Sequence, residues 1–162
     1  MPTLTLCYGL PGSGKSTRLK HFHAQGYVIF DDYMKCSLFN LKSFAHSRHA
    51  GSIVSALRQS KPCAVADVIL SRKESRNEIV AYLTELIPEL VFEWHCFDCS
   101  SPEAIELCRD NVLYRLETHE NNEDQSFRII DDLKEHFSIE DKALVYNVSP
   151  GRRSVVLIEA GF

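Results

Sequence analysis

The amino-acid sequence predicts an α/β fold of three layers, in which a central, mostly parallel sheet of about five strands has helices on both faces. Short apolar runs alternate along the chain with segments of helical periodicity, which is typical of right-handed βαβ units. A glycine-rich segment follows the first apolar run and precedes the first helical segment. The chain has 162 residues, 44% of them hydrophobic and 25% charged, which suits one globular domain over residues 1–162.

Most of the predicted strands are short apolar runs, a pattern that suits strands buried in a parallel sheet. These runs lie at residues 3–8, 27–30, 63–67, 90–97 and 144–148. Apolar residues at helical spacing and helix-ending residues predict helices over residues 16–25, 51–59, 72–87, 102–116 and 127–137. The acidic segment 117–125 has no apolar stripe and is predicted to be a mobile loop, whereas residues 154–158 are predicted to pair back as a hairpin strand.

The glycine-rich segment matches the phosphate-binding pattern of Gly, four residues, Gly, Lys and then Ser or Thr. Its predicted nucleotide contacts are Gly9, Pro11, Gly12, Ser13, Gly14, Lys15, Ser16 and Thr17. Glycines let the backbone curl so that several N–H groups face one anion. Lys15 can reach the β- and γ-phosphates, and the Ser16 hydroxyl can ligate Mg²⁺. The strand before the segment and the helix after it favour this interpretation over an accidental glycine-rich turn, so we expect ATP and Mg²⁺ as cofactors.

Carboxylates follow two of the predicted strands, at the sheet edge where ligands of parallel α/β folds bind. Asp31 and Asp32 come after the second strand, and either can act as the base that orients an attacking hydroxyl. Asp67 ends the third run, at the position expected for an acid that supports the Mg²⁺ shell, directly or through water. The alternative for each of them is an aspartate that caps the following helix.

Arginines flank the acidic segment. Arg109 and Arg115 precede it and Arg128 follows it, which predicts a lid at about residues 109–128 that closes over ATP. One of these arginines would act as an arginine finger supplied by the same chain. Exposed arginines are common on helices, so the alternative is an ordinary charged surface.

Charge and composition narrow the classes of function. The net charge of −4 and pI near 6.0 do not favour tight nonspecific binding of nucleic acid, although they allow a small basic patch. No apolar run approaches the roughly 20 residues of a membrane span. The chain enters its first strand without a signal peptide, so we expect a cytoplasmic protein with reduced cysteines. The single CxxC motif lacks the second pair that a zinc site needs, and no protein partner is implied.

The sequence resembles the P-loop kinases of the polynucleotide-kinase type. The likeness rests on GLPGSGKST, on DDY at residues 31–33, on the apolar strand ending at Asp67 and on the arginine-bearing helix before the predicted lid. It implies a parallel sheet with a helical lid, ATP and Mg²⁺ as cofactors, and Lys15 and Ser16 as phosphate and metal contacts. It further implies that Asp31 is the general base and that Asp67 supports the active site.

Two departures from that family lie on the side of the phosphate acceptor. Met34 stands where the family has an arginine, with Lys35 next to it, and Val68-Ile69 stands where the family commonly has Thr-Asn. Asp32, Lys35 and Asp67 are therefore the predicted acceptor-side residues. The sequence favours an ATP-dependent kinase, with a polynucleotide 5′-hydroxyl as the first acceptor to consider. The alternatives are a kinase for a sugar, nucleoside or antibiotic, or a nucleotide-binding regulatory protein, which would not need a base at Asp31.

Overall fold

A computed structural model describes residues 2–31, 50–118 and 123–151, and within them the predicted alternation of strands and helices is confirmed. The strands are β1 (Thr3–Tyr8), β2 (Val28–Asp31), β3 (Cys63–Ala66), β4 (Val91–Asp98) and β5 (Leu144–Asn147). The helices are α1 (Lys15–Ala24), α2 (Ala50–Arg58), α3 (Lys73–Leu86), α4 (Pro102–Thr118) and α5 (Glu123–Leu133). One turn of 3-10 helix, Val68–Ser71, joins β3 to α3.

The five strands form one sheet in the order β2-β3-β1-β4-β5, and every neighbouring pair is parallel. β1 is the central strand, with Leu4 opposite Cys63 of β3 on one side and Phe92 of β4 on the other. Because all five strands run the same way, their carboxyl ends meet at one edge of the sheet. Ligands of such folds bind beyond that edge, so it is where the candidate site must be sought.

Alternate residues of β1 face opposite layers of helices, which explains why residues 4–8 are all buried. Leu4, Leu6 and Tyr8 pack in the cluster that contains α2 and α3. Cys7 packs on the other face against Leu19 and Phe22 of α1. The smaller residues Ala64 and Ala66 of β3 share the α1 face and leave room for that helix. A further cluster holds α4 and α5 against the loop that follows β1, with Leu10, Cys108 and Ile130 as fully buried members.

The predicted loop at residues 117–125 is shorter than expected. α4 continues to Thr118 and α5 already begins at Glu123, so helices occupy both ends of the segment. Glutamate and glutamine are good helix formers, and Phe127 and Ile130 pack α5 onto the core, which explains the extension. The predicted end at residue 137 is also wrong, because α5 stops at Leu133. Residues 119–122 and the predicted strand at 154–158 lie outside the described residues.

Within the part of the chain that the structure describes, no helix combines the length and the apolar character needed to cross a membrane.

Candidate functional site

The loop between β1 and α1 has the backbone that its glycines allow. Gly12 has φ +83° and Gly14 has φ +116°, and residues that carry a Cβ rarely adopt such positive φ angles. α1 begins at Lys15, has no acidic residue in its first turn and receives no side-chain cap from Gly14. The positive end of the helix dipole is therefore not neutralised by a carboxylate of its own first turn, which favours an anion at this place.

Lys15 lies folded across this loop. Its side chain is largely buried, and Nζ donates a hydrogen bond to the carbonyl oxygen of Leu10 at 3.2 Å. The same carbonyl accepts the N–H of Ser13 at 3.1 Å, which closes the turn on itself. The ammonium group is thus held against the loop that is predicted to bind phosphate.

Ser16 and Asp31 are in direct contact. The Ser16 hydroxyl, one residue into α1, donates to Oδ2 of Asp31 at the end of β2, with an oxygen–oxygen distance of 3.0 Å. The predicted metal ligand and the predicted base are therefore neighbours, although fifteen residues separate them in sequence. Hydroxyl and carboxylate oxygens are suitable ligands for Mg²⁺, which keeps several waters and takes its other ligands from substrate phosphates. Among the described residues no group of three or more His, Cys, Asp or Glu side chains could hold a metal ion.

Asp67 lies at the same edge, directly after β3. Its Oδ1 accepts the N–H of Ile69 at 2.8 Å and so caps the 3-10 turn, while its own N–H donates to the carbonyl of Cys7 at 3.2 Å. The capping role considered from the sequence is therefore present. A cap fixes the carboxylate without using all of its acceptor positions, so a role in the metal shell stays a prediction.

The two predicted lid arginines of α4 have different surroundings. Arg109 forms an ion pair with Asp131 of α5, and Lys134 lies 3.6 Å from the same carboxylate. The hydrogen bond from Arg109 lowers the pKa of the Asp131 carboxyl. Arg115 is half-buried in the last turn of α4. Arg128 is exposed on α5.

Asp32 and Lys35, the predicted acceptor-side residues, lie outside the described residues.

Two buried cysteines form the underside of the loop, and sequence reasoning missed them. The N–H of Leu10 donates to Sγ of Cys99 at 3.4 Å, and this sulfur lies 3.8 Å from Sγ of Cys108 on α4. The hydrogen bond from Cys108 lowers the pKa of Cys99, whereas the same bond and burial raise that of Cys108. Cys96 of β4, the other member of the CxxC motif, is fully buried, and this raises its pKa to about 12. The interpretation of the motif as structural, which its missing second pair favours, stays a prediction.

Asn111 was also missed. Its side-chain amide donates one hydrogen bond to the carbonyl of Gly12 in the loop and another to the carbonyl of Ser149 after β5, both at 2.9 Å. Asparagine is a weak helix former because its amide competes with the backbone. An asparagine beside Val112 in the apolar stripe of α4 was the one sign in the sequence that this side chain has a specific hydrogen-bonding role.

An aromatic stack supports the loop from the β4 side. A Cβ on Gly14 would lie 3.1 Å from the ring of Phe97, so this ring fits closely beneath the glycine. Phe97 stacks on Tyr146 with a centroid distance of 5.2 Å, and Tyr146 stacks on His95 at 5.7 Å. The guanidinium of Arg18 lies 4.2 Å above the Tyr146 ring. Desolvation lowers the pKa of His95, which is nearly fully buried.

Arg76 of α3 holds the turn that follows Asp67. Although the residue is only 1% exposed, its guanidinium donates to the carbonyl of Leu70, to the hydroxyl of Ser138 and to Oε2 of Glu140 at 2.6–2.7 Å. It also lies 4.8 Å from the ring centroid of Tyr8. Such a buried charge is tolerated only because its donors are satisfied.

No family model matches the sequence, and no curated protein sequence matches it either. Several solved structures are similar to this one. A gluconokinase from Sinorhizobium meliloti 1021 is similar over 96% of this chain and 88% of its own, with a TM-score of 0.59 and 15% identity. Kti12 from Chaetomium thermophilum in complex with ADP-AlF3 is similar over 96% and 94%, with a TM-score of 0.51 and 15% identity.

A chain of the Pnkp1/Rnl/Hen1 RNA repair complex is similar over 86% of this chain and 47% of its own, with a TM-score of 0.53 and 17% identity. At such identities the likeness shows the fold alone. Together with the parallel sheet and the loop after β1, it confirms the predicted α/β fold of P-loop proteins.

Proposed function

We propose that this protein is an ATP-dependent kinase that transfers the γ-phosphate to a hydroxyl group. The observation that carries the proposal is the 3.0 Å contact between the Ser16 hydroxyl and the Asp31 carboxylate beside the glycine loop. A protein that only bound nucleotide would need the loop, Lys15 and Ser16. It would have no need of a general base, which is the role that the proposal gives to the Asp31 carboxylate.

Each residue has a role in this proposal. The loop N–H groups and the dipole of α1 bind the phosphates of ATP, and Lys15 neutralises charge on the phosphates. Mg²⁺, held by Ser16 with Asp31 or Asp67 near it, would neutralise charge on the β- and γ-phosphates. Asp31 orients the acceptor hydroxyl and accepts its proton as the oxygen attacks the γ-phosphorus, while the bond from that phosphorus to the bridging oxygen breaks and ADP leaves. In phosphoryl transfer most of the catalysis comes from such positioning and charge neutralisation.

The lid is part of the proposal. Arg115 is its first candidate for the arginine finger, because it is half-buried and lies in the last turn of α4, next to the predicted lid segment. Arg109 is the second candidate and would have to leave its ion pair with Asp131 to reach the phosphates. The lid would comprise the facing ends of α4 and α5. The proposal also takes the chain as a single domain and the protein as cytoplasmic.

The proposed acceptor is a polynucleotide 5′-hydroxyl. The DDY sequence at residues 31–33 and the structural similarity to a chain of an RNA repair complex support it. A small hydroxyl compound is the alternative, supported by the net charge of −4 and by the similarity to a gluconokinase. A nucleotide-binding regulatory protein is the third candidate.

Transfer of labelled γ-phosphate from ATP and Mg²⁺ separates these candidates. The acceptors are 5′-hydroxyl RNA and DNA oligonucleotides, nucleosides and sugars. We expect Asp31→Asn to lower kcat by about 10²- to 10⁴-fold with little change in ATP affinity, as for a positioned general base. Lys15→Ala should abolish transfer in a folded protein.

Matched controls are available at the opposite edge of the sheet. Asp141→Asn and Lys61→Ala remove the same charges from exposed residues near the amino ends of β5 and β3. Both should keep wild-type turnover. ATP binding without transfer to any acceptor would favour the regulatory candidate, and wild-type turnover in Asp31→Asn would contradict the assigned base.

A further inference from the structure

Asn111 connects two segments that are far apart in the sequence. The amide nitrogen of an asparagine carries two hydrogens, and here one is donated to the carbonyl of Gly12 and the other to that of Ser149. Both nitrogen–oxygen distances are 2.9 Å, which is ideal for N–H···O bonds. One side chain on α4 therefore fixes the phosphate loop and the segment after β5 to the same point.

The packing around Asn111 leaves little freedom on either side. A Cβ on Gly151 would lie 2.8 Å from Oδ1 of Asn111, so the segment after β5 lies close against this amide. On the loop side, a Cβ on Gly12 would lie 2.3 Å from the carbonyl oxygen of Cys108, less than one helical turn before Asn111. Hydrogen bonds and steric contacts together set the separation between the loop and residues 149–151.

The order of the strands indicates what that separation serves. β1 leads into the loop, and the carboxylates Asp31 and Asp67 lie on the side of β3 and β2. The acceptor and the metal would occupy that side. A nucleotide whose phosphates are bound at the loop must extend its nucleoside away from them, towards β4 and β5. Ser149 and Gly151 follow β5 at that side of the loop.

We propose that Asn111 is a positioning residue for nucleotide binding, which holds the phosphate loop at a fixed distance from a nucleoside-contacting segment after β5. The proposal rests on the proposed function, which supplies a nucleoside phosphate as ligand and directs its phosphate end to the side of Asp31 and Asp67. Asn111 acts through the carbonyl groups of Gly12 and Ser149.

Asn111→Leu tests the proposal, because leucine has nearly the shape of asparagine and no donor. We expect the dissociation constant of ADP, measured by calorimetry, to rise roughly 10-fold or more through the loss of two hydrogen bonds. Tripolyphosphate has no nucleoside, and its affinity should fall by a clearly smaller factor. Asn111→Ser keeps one donor, and we expect it to recover part of the ADP affinity. Asn77→Leu, on the exposed side of α3, is the matched control and should bind ADP like the wild type.

A purely structural role predicts a different pattern. It would lower the affinities for ADP and tripolyphosphate by the same factor, and that result would overturn the proposal. Unchanged ADP affinity in a folded Asn111→Leu protein would overturn it as well. Should Asn111→Leu fail to fold, the comparison of ADP with tripolyphosphate in Asn111→Ser gives the same decision. Because binding alone is measured, the result is independent of whether the protein transfers phosphate, and a kinase proposal that failed in the transfer assay would leave it intact.

Discussion

Gly12→Ala tests whether the loop needs its particular backbone, and the chain contains a matched control for it. Gly12 has φ +83°, and a Cβ there would lie 2.3 Å from the carbonyl oxygen of Cys108. Gly26, at the end of α1, has φ +91° with nothing within 4 Å of its Cβ position. Alanine therefore strains the backbone in much the same way at both positions but meets another atom only at Gly12. The difference between the two variants isolates the contact between the loop and α4.

The contacts give the magnitudes. An L-residue at positive φ costs about 1–2 kcal/mol, which is the whole expected loss of stability for Gly26→Ala. At Gly12 the loop or α4 must also move by about 1 Å to restore an ordinary contact distance. Overpacking of this kind adds about 1–3 kcal/mol, so Gly12→Ala should lose about 2–5 kcal/mol. A displacement of about 1 Å in a positioning element can cost 10²-fold in function, and we expect a nucleotide affinity at least that much weaker.

Urea denaturation of the two variants gives the free energies of unfolding, and calorimetric titration with ADP gives the affinities. Gly26→Ala should bind ADP like the wild type, because it lies at the far end of α1. If Gly12→Ala matched Gly26→Ala in both stability and ADP affinity, the close contact with Cys108 would not constrain the loop. The reasoning would then be refuted, because the alanine must have been accommodated without moving a phosphate-binding group.

Three further predictions concern the surroundings of the site. Arg76→Met should lower the free energy of unfolding by about 3 kcal/mol in urea denaturation, because it leaves a buried carbonyl, a hydroxyl and a carboxylate without their donor. The control Arg58→Met, at the exposed end of α2, should change that free energy by less than about 0.5 kcal/mol. Burial lowers the pKa of His95 below its value in the unfolded chain, so the unfolded state takes up the proton first and the free energy of unfolding should fall as the pH drops below about 6.5. His95→Gln should reduce this loss of stability between pH 7.5 and 5. An unchanged pH dependence in the variant would contradict the role given to His95. Arg115→Ala should lower kcat more than it raises the KM for ATP, because the contact strengthens mainly in the transition state, and the opposite split in steady-state kinetics would remove Arg115 from the lid mechanism.

Much of this fold could be predicted because its signals are local. Most strands of the sheet are short apolar runs, and the loop after β1 has a sequence that few other structures require. The ends of α4 and α5 could not be predicted in the same way. Residues 117–125 lack an apolar stripe, but helix propensity and the packing of Phe127 extend the two helices into that segment.

In the candidate site, too, the residues that belong to local motifs could be predicted and those defined by long-range contacts could not. Lys15, Ser16 and Asp31 were predicted from motif and strand position, and Ser16 and Asp31 do meet. Asn111 belongs to no motif, and the CxxC motif gives no sign that Cys99 lies beneath the loop, because these contacts span 99 and 89 positions of the sequence. Only the pairing of β1 with β4 and the packing of α4 against the loop bring them there. Long-range contacts of this kind follow from the tertiary structure and have no local periodicity to reveal them.

The contact between Ser16 and Asp31 depends on small side chains in β3. Asp31 ends β2, and β3 lies between that strand and β1, so α1 must cross above β3 for its first turn to reach the carboxylate. Ala64 and Ala66 of β3 are fully buried on the face that packs against α1. Larger side chains there would hold the helix farther from the sheet, since core packing tolerates little added volume. The small residues of β3 therefore determine how closely the hydroxyl on α1 approaches the carboxylate on β2, and with it the geometry on which the proposed phosphoryl transfer rests.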